Sequence, residues 1–368
     1  QRGLGLLTRW AASREWGATA LRTLLGDALD HDDRPGMLKW AEASWAQPFC
    51  TLADIPNCLL ALSRTDDARF AAVLAILEKK QSVSPGEIGQ LAGWLNQIGR
   101  SADAISWVQS LPPKLTGQDP VLVVMAEALR RNSDWTGLNA WLTQGNWGHD
   151  VEFLHLAYGL LAARQLGNAT RADELWRTLQ SEARTSGVYT LFGADTLYTW
   201  GLQDEALTLL WMAADQPGVE LEALGTLARH YQTQRDAEGE YRAFRRLHAL
   251  HAQDAAVANN FALFAAVTSH DENAAEQTAR ENHARAPSSL TYLSTYAFVL
   301  SQQNRAGEAL SLLEPVAGEW RKSPGLAFAY GLSLAAAGRK DDARPILESL
   351  DLPTLSTQEE ALVRAALK

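Results

Sequence analysis

Trp200-Gly201-Leu202-Gln203-Asp204-Glu205-Ala206-Leu207 is the stretch that decides the fold. A glycine that accepts left-handed backbone, then a short polar run with two acids and an Ala-Leu step, reads as one helix ending and another beginning. The same arrangement stands at Asn96-Gln97-Ile98-Gly99-Arg100-Ser101-Ala102-Asp103-Ala104-Ile105 and at Ala337-Gly338-Arg339-Lys340-Asp341-Asp342-Ala343. Working outward from these turns, a column of small or apolar residues precedes each of them: Ala92, Ala126, Leu160, Ala194, Ala228, Leu263, Ala297 and Gly331. The step is 34 residues except between Ala228 and Leu263, where it is 35. A second column lies twelve residues further on: Ala104, Leu138, Ala172, Ala206, Glu240 or Tyr241, Ala275, Ala309 and Ala343.

Each column has apolar company at helical spacing. The first is followed three residues later by Leu95, Leu129, Ala163, Leu197, Tyr231, Ala266, Leu300 and Leu334. The second is followed four residues later by Val108, Leu142, Trp176, Leu210, Phe244 or its neighbour, Ala279, Leu313 and Leu347. Spacings of three and four give one apolar stripe per helix. Small residues at the columns let two helices approach closely. The unit is therefore a helix hairpin repeated eight times, and each hairpin buries its remaining apolar surface on its neighbours. Gly99, Gly167, Gly201, Gly338 and Asn304 occupy the turn between the helices, and His270 takes that place in the sixth unit.

The turn and second-helix residues quoted above resemble the tetratricopeptide repeat family. Pro217, Pro287 and Pro324 fall near that family's closing proline, at varying offsets. The resemblance runs from about Pro85 to Leu350 and implies an all-α, right-handed superhelical solenoid of antiparallel helix hairpins. Leu138, at a normally small position, and the slip of one residue around Tyr241 to Phe244 depart from the pattern. The chain is expected to divide into irregular helical hairpins over 1–84, eight repeats over 85–350 and a capping helix over 351–368. Within the first part, Trp10 to Asp30 reads as a hairpin, and Pro35 to Pro56, with Trp40 and Trp45, reads as an extra helical stretch serving as an N-terminal plug. At the other end, Ser356-Thr357-Gln358-Glu359 is a capping-box pattern, expected to open a last helix that closes the stack.

Composition narrows the function. The 368 residues carry a formal net charge of −10, which opposes general nucleic-acid binding, because that rests on Lys and Arg neutralising phosphates. No apolar run is long enough for a membrane span. Cys50 and Cys58 show no metal-binding spacing and read as two thiols of a reduced compartment, or as one disulfide in an oxidising one. The start at Gln1 rather than Met suggests a processed or trimmed product. Localisation is accordingly cytoplasmic, or periplasmic and envelope-tethered if a signal or anchor was removed.

No catalytic constellation stands out. His248 and His251 lie a turn apart without the acids of a metal site, and Gly3-Leu4-Gly5 has neither a third glycine nor a preceding strand. The pairs Asp66-Asp67, Asp341-Asp342 and Glu359-Glu360 sit at helix starts, where they complement the helix dipole. Most of the thirteen tryptophans read as packing, Trp147 and Trp211 being the least determined. We expect no enzyme, no cofactor and no metal.

In the family resembled, first helices line a concave face where peptides lie. Carried onto this sequence, that face comprises Asn96, Gln97, Glu127, Arg130, Arg131, Arg164, Gln165, Asp195, Tyr198, Arg229, Gln232, Asn260, Phe264 and Gln302. Arg130, Arg131 and Arg164 have the paired donors that suit a carboxylate or acidic segment. The family's set for gripping a C-terminal carboxylate is not in register here. The expected function is a scaffold binding a protein or peptide on this face. The alternatives are the repeat region of a larger bacterial envelope or assembly protein, and an enzyme with a site across hairpins.

Overall fold

The computed structural model describes residues 2–13, 15–46, 55–81 and 84–368, all of whose regular structure is helical. The chain forms two compact units, Gln1–Glu182 and Ala183–Lys368.

In the first unit, α1 (Arg2–Trp10), α2 (Gly17–Asp30), α3 (Arg34–Trp45), α4 (Ile55–Thr65) and α5 (Asp67–Gln81) precede the regular register. Helix α3 packs against both α2 and α4, and carries Trp40 and Trp45 half-buried. Asp33 caps it by accepting from Gly36 N–H at 3.1 Å. Cys58 is buried on α4, whereas Cys50 lies outside the described residues. Three hairpins follow: α6 (Pro85–Gln97) with α7 (Ser101–Gln109), the single turn α8 (Pro113–Thr116), α9 (Val121–Arg131) with α10 (Trp135–Trp141), and α11 (Glu152–Gln165) with α12 (Ala169–Ala183).

The second unit contains five more hairpins and one further helix. They are α13 (Gly187–Thr199) with α14 (Gln203–Ala213), α15 (Glu220–Gln234) with α16 (Ala237–Leu250), α17 (Ala255–Thr268) with α18 (Glu272–Arg285), α19 (Leu290–Gln302) with α20 (Ala306–Leu313), α21 (Pro324–Ala336) with α22 (Lys340–Leu347), and then α23 (Thr357–Ala366). Ser186, Asp236, Asp254, Ser289 and Ser323 cap helix N-termini by accepting from first-turn backbone N–H groups. Each such cap contributes about 1 kcal/mol. Phe298 and Phe328, both buried with rings 5.1 Å apart, anchor the core of this unit. Burying a side chain of that size contributes roughly 2–3 kcal/mol.

A single turn geometry recurs in all eight hairpins. Seven residues after the first-column position comes a left-handed residue: Gly99, Ser133, Gly167, Gly201, Arg235, Ser269, Asn304 and Gly338, with φ between +56° and +82°. The next residue's N–H donates back to the carbonyl three residues after the column position, as in Arg100 to Leu95 at 2.8 Å and Arg339 to Leu334 at 2.9 Å. This bond satisfies a carbonyl that the helix end would otherwise leave open.

The same geometry corrects the sequence register in the sixth hairpin. His270 N–H donates to Ala265 O at 2.9 Å and Ser269 has φ +58°, so Ser269 holds the turn and His270 is the residue after it. The column residue is then Ala262, fully buried, while Leu263 is half-exposed. The 34-residue step is kept from Ala228 to Ala262, and the extra residue falls in this turn, where Asp271 adds a second left-handed conformation at φ +44°.

The third hairpin keeps both columns, Leu160 and Ala172 being fully buried, but its second-helix companion shifts by one. A side chain at Gly159 would meet Leu175 at 3.2 Å, and Leu175 is buried whereas Trp176 is half-exposed. In the fifth, both Glu240 and Tyr241 are buried, and Gly239 provides the close approach.

Helix α23 begins with the anticipated capping box, Ser356 with Glu359. It does not continue the stack beyond α22. It turns back to pack on α16, α17 and α21.

Candidate functional site

The residues expected on the first-helix face fall into two groups of different character. In the first unit they bond to one another. Asn96 is buried and donates from Nδ2 to Val124 O at 2.9 Å, tying α6 to α9. Glu127 accepts from Arg130 Nε at 2.7 Å, from Arg131 Nε at 2.6 Å and from the Tyr158 hydroxyl at 3.1 Å. Arg131 also donates to Asn96 O at 3.2 Å. Burial works against ionisation of Glu127, but the two guanidinium groups overcome it and hold the carboxyl below its ordinary range. Burial, and then the charge of Glu127, raise the Tyr158 hydroxyl. Arg164 pairs with Asp173 at 3.5 Å, and Gln97 and Gln165 are exposed. Arg130 and Arg131 thus both engage Glu127, three and four residues away on the same helix face.

The nearby aromatic pair is also packing. Trp147 is buried and stacks on His155 at 4.7 Å, and the His155 Nε2 contacts Leu142 O at 3.0 Å.

The second unit is different. Its first helices α13 and α15 wall a cavity of about 640 Å³, to which Asp195 and Tyr198 contribute from one side and Arg229 and His230 from the other. Val188, Phe192 and Leu191 add an apolar wall, with Val188 68% and Phe192 51% exposed. Tyr198, 42% exposed, sets its ring edge-on to His230 at 5.8 Å. Phe192 was not anticipated as a site residue. Its one sequence signal is its position i+4 from Val188 on a helix whose opposite side already carries the buried stripe Thr190, Ala194 and Leu197.

Arg229 also lines a second cavity, of about 450 Å³, together with Gln232, Asn260 and Phe264. Another part of its wall is the returning segment Thr354, Leu355, Ser356 and Glu359. Gln302 lies half-exposed at the end of α19. Glu240, where most hairpins carry alanine, faces the same cavity. Burial, then Glu359, then Asp236 push its carboxyl up to about 8.

Trp211, the other tryptophan left undetermined by sequence, donates from Nε1 to the Tyr231 hydroxyl at 3.0 Å and carries Arg242 over its ring. His248 stacks on Phe261 at 4.9 Å. Among the described residues no three His, Cys, Asp or Glu side chains converge as metal ligands, and no helix is long and apolar enough to cross a membrane.

No family model matches the sequence, and no curated protein matches it. Solved structures similar to it include a tetratricopeptide repeat protein from Parabacteroides merdae, at 12% identity over 73% of this chain and all of that one, with a TM-score of 0.35. The APC/C hetero-tetramer Cut9-Hcn1 is similar at 14% identity over all of this chain and 74% of that one, TM-score 0.31. Yeast Tom70 is similar at 13% identity over 95% of both chains, TM-score 0.25. Superpositions this loose do not define a relationship. The 34-residue register, the turn bond shared by all eight hairpins and the hairpin packing define the class: an all-α helical-repeat protein of tetratricopeptide-like hairpins.

Proposed function

We propose that the chain is a non-enzymatic interaction scaffold, and that its second unit receives an apolar segment of a partner protein between α13 and α15. The observation that carries this is the exposed set Val188, Phe192 and Tyr198 above a cavity of about 640 Å³. Aromatic side chains that remain exposed over a formed cleft lose little entropy on binding and bury a large area. Asp195 and Arg229 on opposite walls would fix the orientation of a polar backbone. Arg229 is shared with the neighbouring cavity, where a segment of this chain already lies, so the open cleft continues a surface that holds peptide. The arginines of the first unit contribute less, because Glu127 on their own helix engages both guanidinium groups.

The test is photo-crosslinking with benzoylphenylalanine at position 198, in parallel with charge substitutions. Phe192→Asp together with Tyr198→Asp is expected to lower partner capture at least tenfold, while Arg130→Glu with Arg131→Glu leaves it within about twofold. Capture that survives the first pair and fails with the second would transfer the site to the first unit.

A further inference from the structure

We propose that the groove over α16, α17 and α21 is a docking site for a partner's amphipathic helix with an acidic first turn, and that α23 fills it as a displaceable stand-in. This inference needs only the site of α23 and does not depend on the open cleft between α13 and α15.

Four observations carry it. The first is a recognition point built at some expense. Arg235 occupies the left-handed turn position at φ +57°, which four of the eight hairpins give to glycine. A left-handed arginine is unfavourable by itself. In return its guanidinium reaches the returning segment, donating to Leu355 O at 2.5 Å, to Leu352 O at 3.1 Å and to the Glu360 carboxylate. The backbone of this turn joins in: Arg235 O accepts from Thr357 N–H at 2.9 Å, and Ala237 N–H donates to Gln358 Oε1 at 3.3 Å. The turn therefore reads a helix N-terminus and the acid beside it.

The second observation is that α23 fits incompletely. Cavities of about 450 and 380 Å³ remain, each lined by Leu355 and Glu359. The third is an unmet polar group beside that space. Asn259, only 5% exposed, lines the smaller cavity, and its buried Oδ1 has no hydrogen-bond partner. A buried acceptor left open is unfavourable, so the wall is not fully satisfied with the resident helix in place. Beside it, Glu240 and Glu359 both line the larger cavity, so the resident helix brings a carboxylate up to a buried carboxyl group.

The fourth is that α23 is held chiefly by the contacts at its start. Of residues 351–368 only Ser356 and Val363 are buried, and the leucines pack partly buried on the core. A helix of 10 residues is below the length that is stable alone in water, so leaving the groove unfolds it. Detached and docked states are then separated by one small contact set. A tethered occupant competes at high effective concentration, and weakens apparent binding of a free helix by the factor by which docking is favoured.

The probe is a fluorescent peptide of residues 354–368 added to the 368-residue chain. Glu360→Arg sets like charges against each other at Arg235 without touching the core, and is expected to free the groove and tighten peptide binding at least tenfold over the parent. Adding Arg235→Glu to Glu360→Arg restores the internal pair with reversed signs, and is expected to return peptide binding to the parent level or below. Hydrogen exchange on the unaltered chain should show α23 amides exchanging at least a hundredfold faster than those of α21. Peptide binding unchanged by Glu360→Arg, equal binding in the single and double variants, or α23 amides as slow as those of α21 would each overturn the proposal. Circular dichroism showing parental helicity in all three proteins separates these results from misfolding.

Discussion

Gly239→Ala lowers the stability of the second unit by about 3 kcal/mol, seen as a fall in melting temperature of roughly 6–12 °C. A β-carbon at this position would stand 2.2–2.7 Å from three ring carbons of Tyr231, including Cγ at 2.3 Å. Because the clash is at the base of the ring, rotating the side chain's far end does not relieve it. Tyr231 is buried, and its hydroxyl accepts from Trp211, so displacing the ring also breaks a hydrogen bond between hairpins four and five. Gly225→Ala is the matched control. It lies inside α15 with nothing within 4 Å of a new β-carbon, and should stabilise by about 0.5–1 kcal/mol by restricting the unfolded chain. If thermal unfolding shows both substitutions shifting in the same direction, the close approach of Tyr231 to α16 is wrong.

Glu240→Gln makes the chain more resistant to unfolding at high pH and changes it little at low pH. The carboxyl is buried, and it faces Glu359 and stands near Asp236, with Arg229 on the cavity wall as the nearby opposite charge. Its pKa is raised from 4.5 to about 8, so the folded chain holds a proton that the unfolded chain gives up. Stability therefore declines as pH rises above the unfolded value and has lost the full contribution above about 8. Between pH 5 and pH 9 the gap between variant and parent should widen by about 2–4 kcal/mol, measured by urea unfolding at each pH. A gap that stays constant across that range would show that Glu240 ionises normally.

The fold was legible because its signal is repeated. A column of small residues every 34 positions survives the replacement of any one member, so Leu160 and Leu138 did not obscure it. The sixth hairpin was misplaced by one residue because Ala262 and Leu263 are both apolar, and composition alone does not say which faces α18. The backbone does, through the bond from His270 N–H to Ala265 O. The candidate site was less legible. Arg130 and Arg131 look available in one dimension, yet Glu127 at spacings of three and four was the sign that they are spent locally. The return of α23 has no local signal at all, since Ser356 and Glu359 announce only where the helix starts. Its one trace is an arginine at a turn position where glycine or another small residue usually stands.

Arg235 has a consequence for how the second unit comes apart. A linear array of hairpins, each touching only its neighbours, frays from its free end inward. Here residues 235 and 360 are joined, so hairpins five to eight form a closed loop in contact terms, and the last hairpin is not a free end. While α23 is docked, those four hairpins should unfold as one cooperative step, and its release returns the last hairpin to fraying on its own.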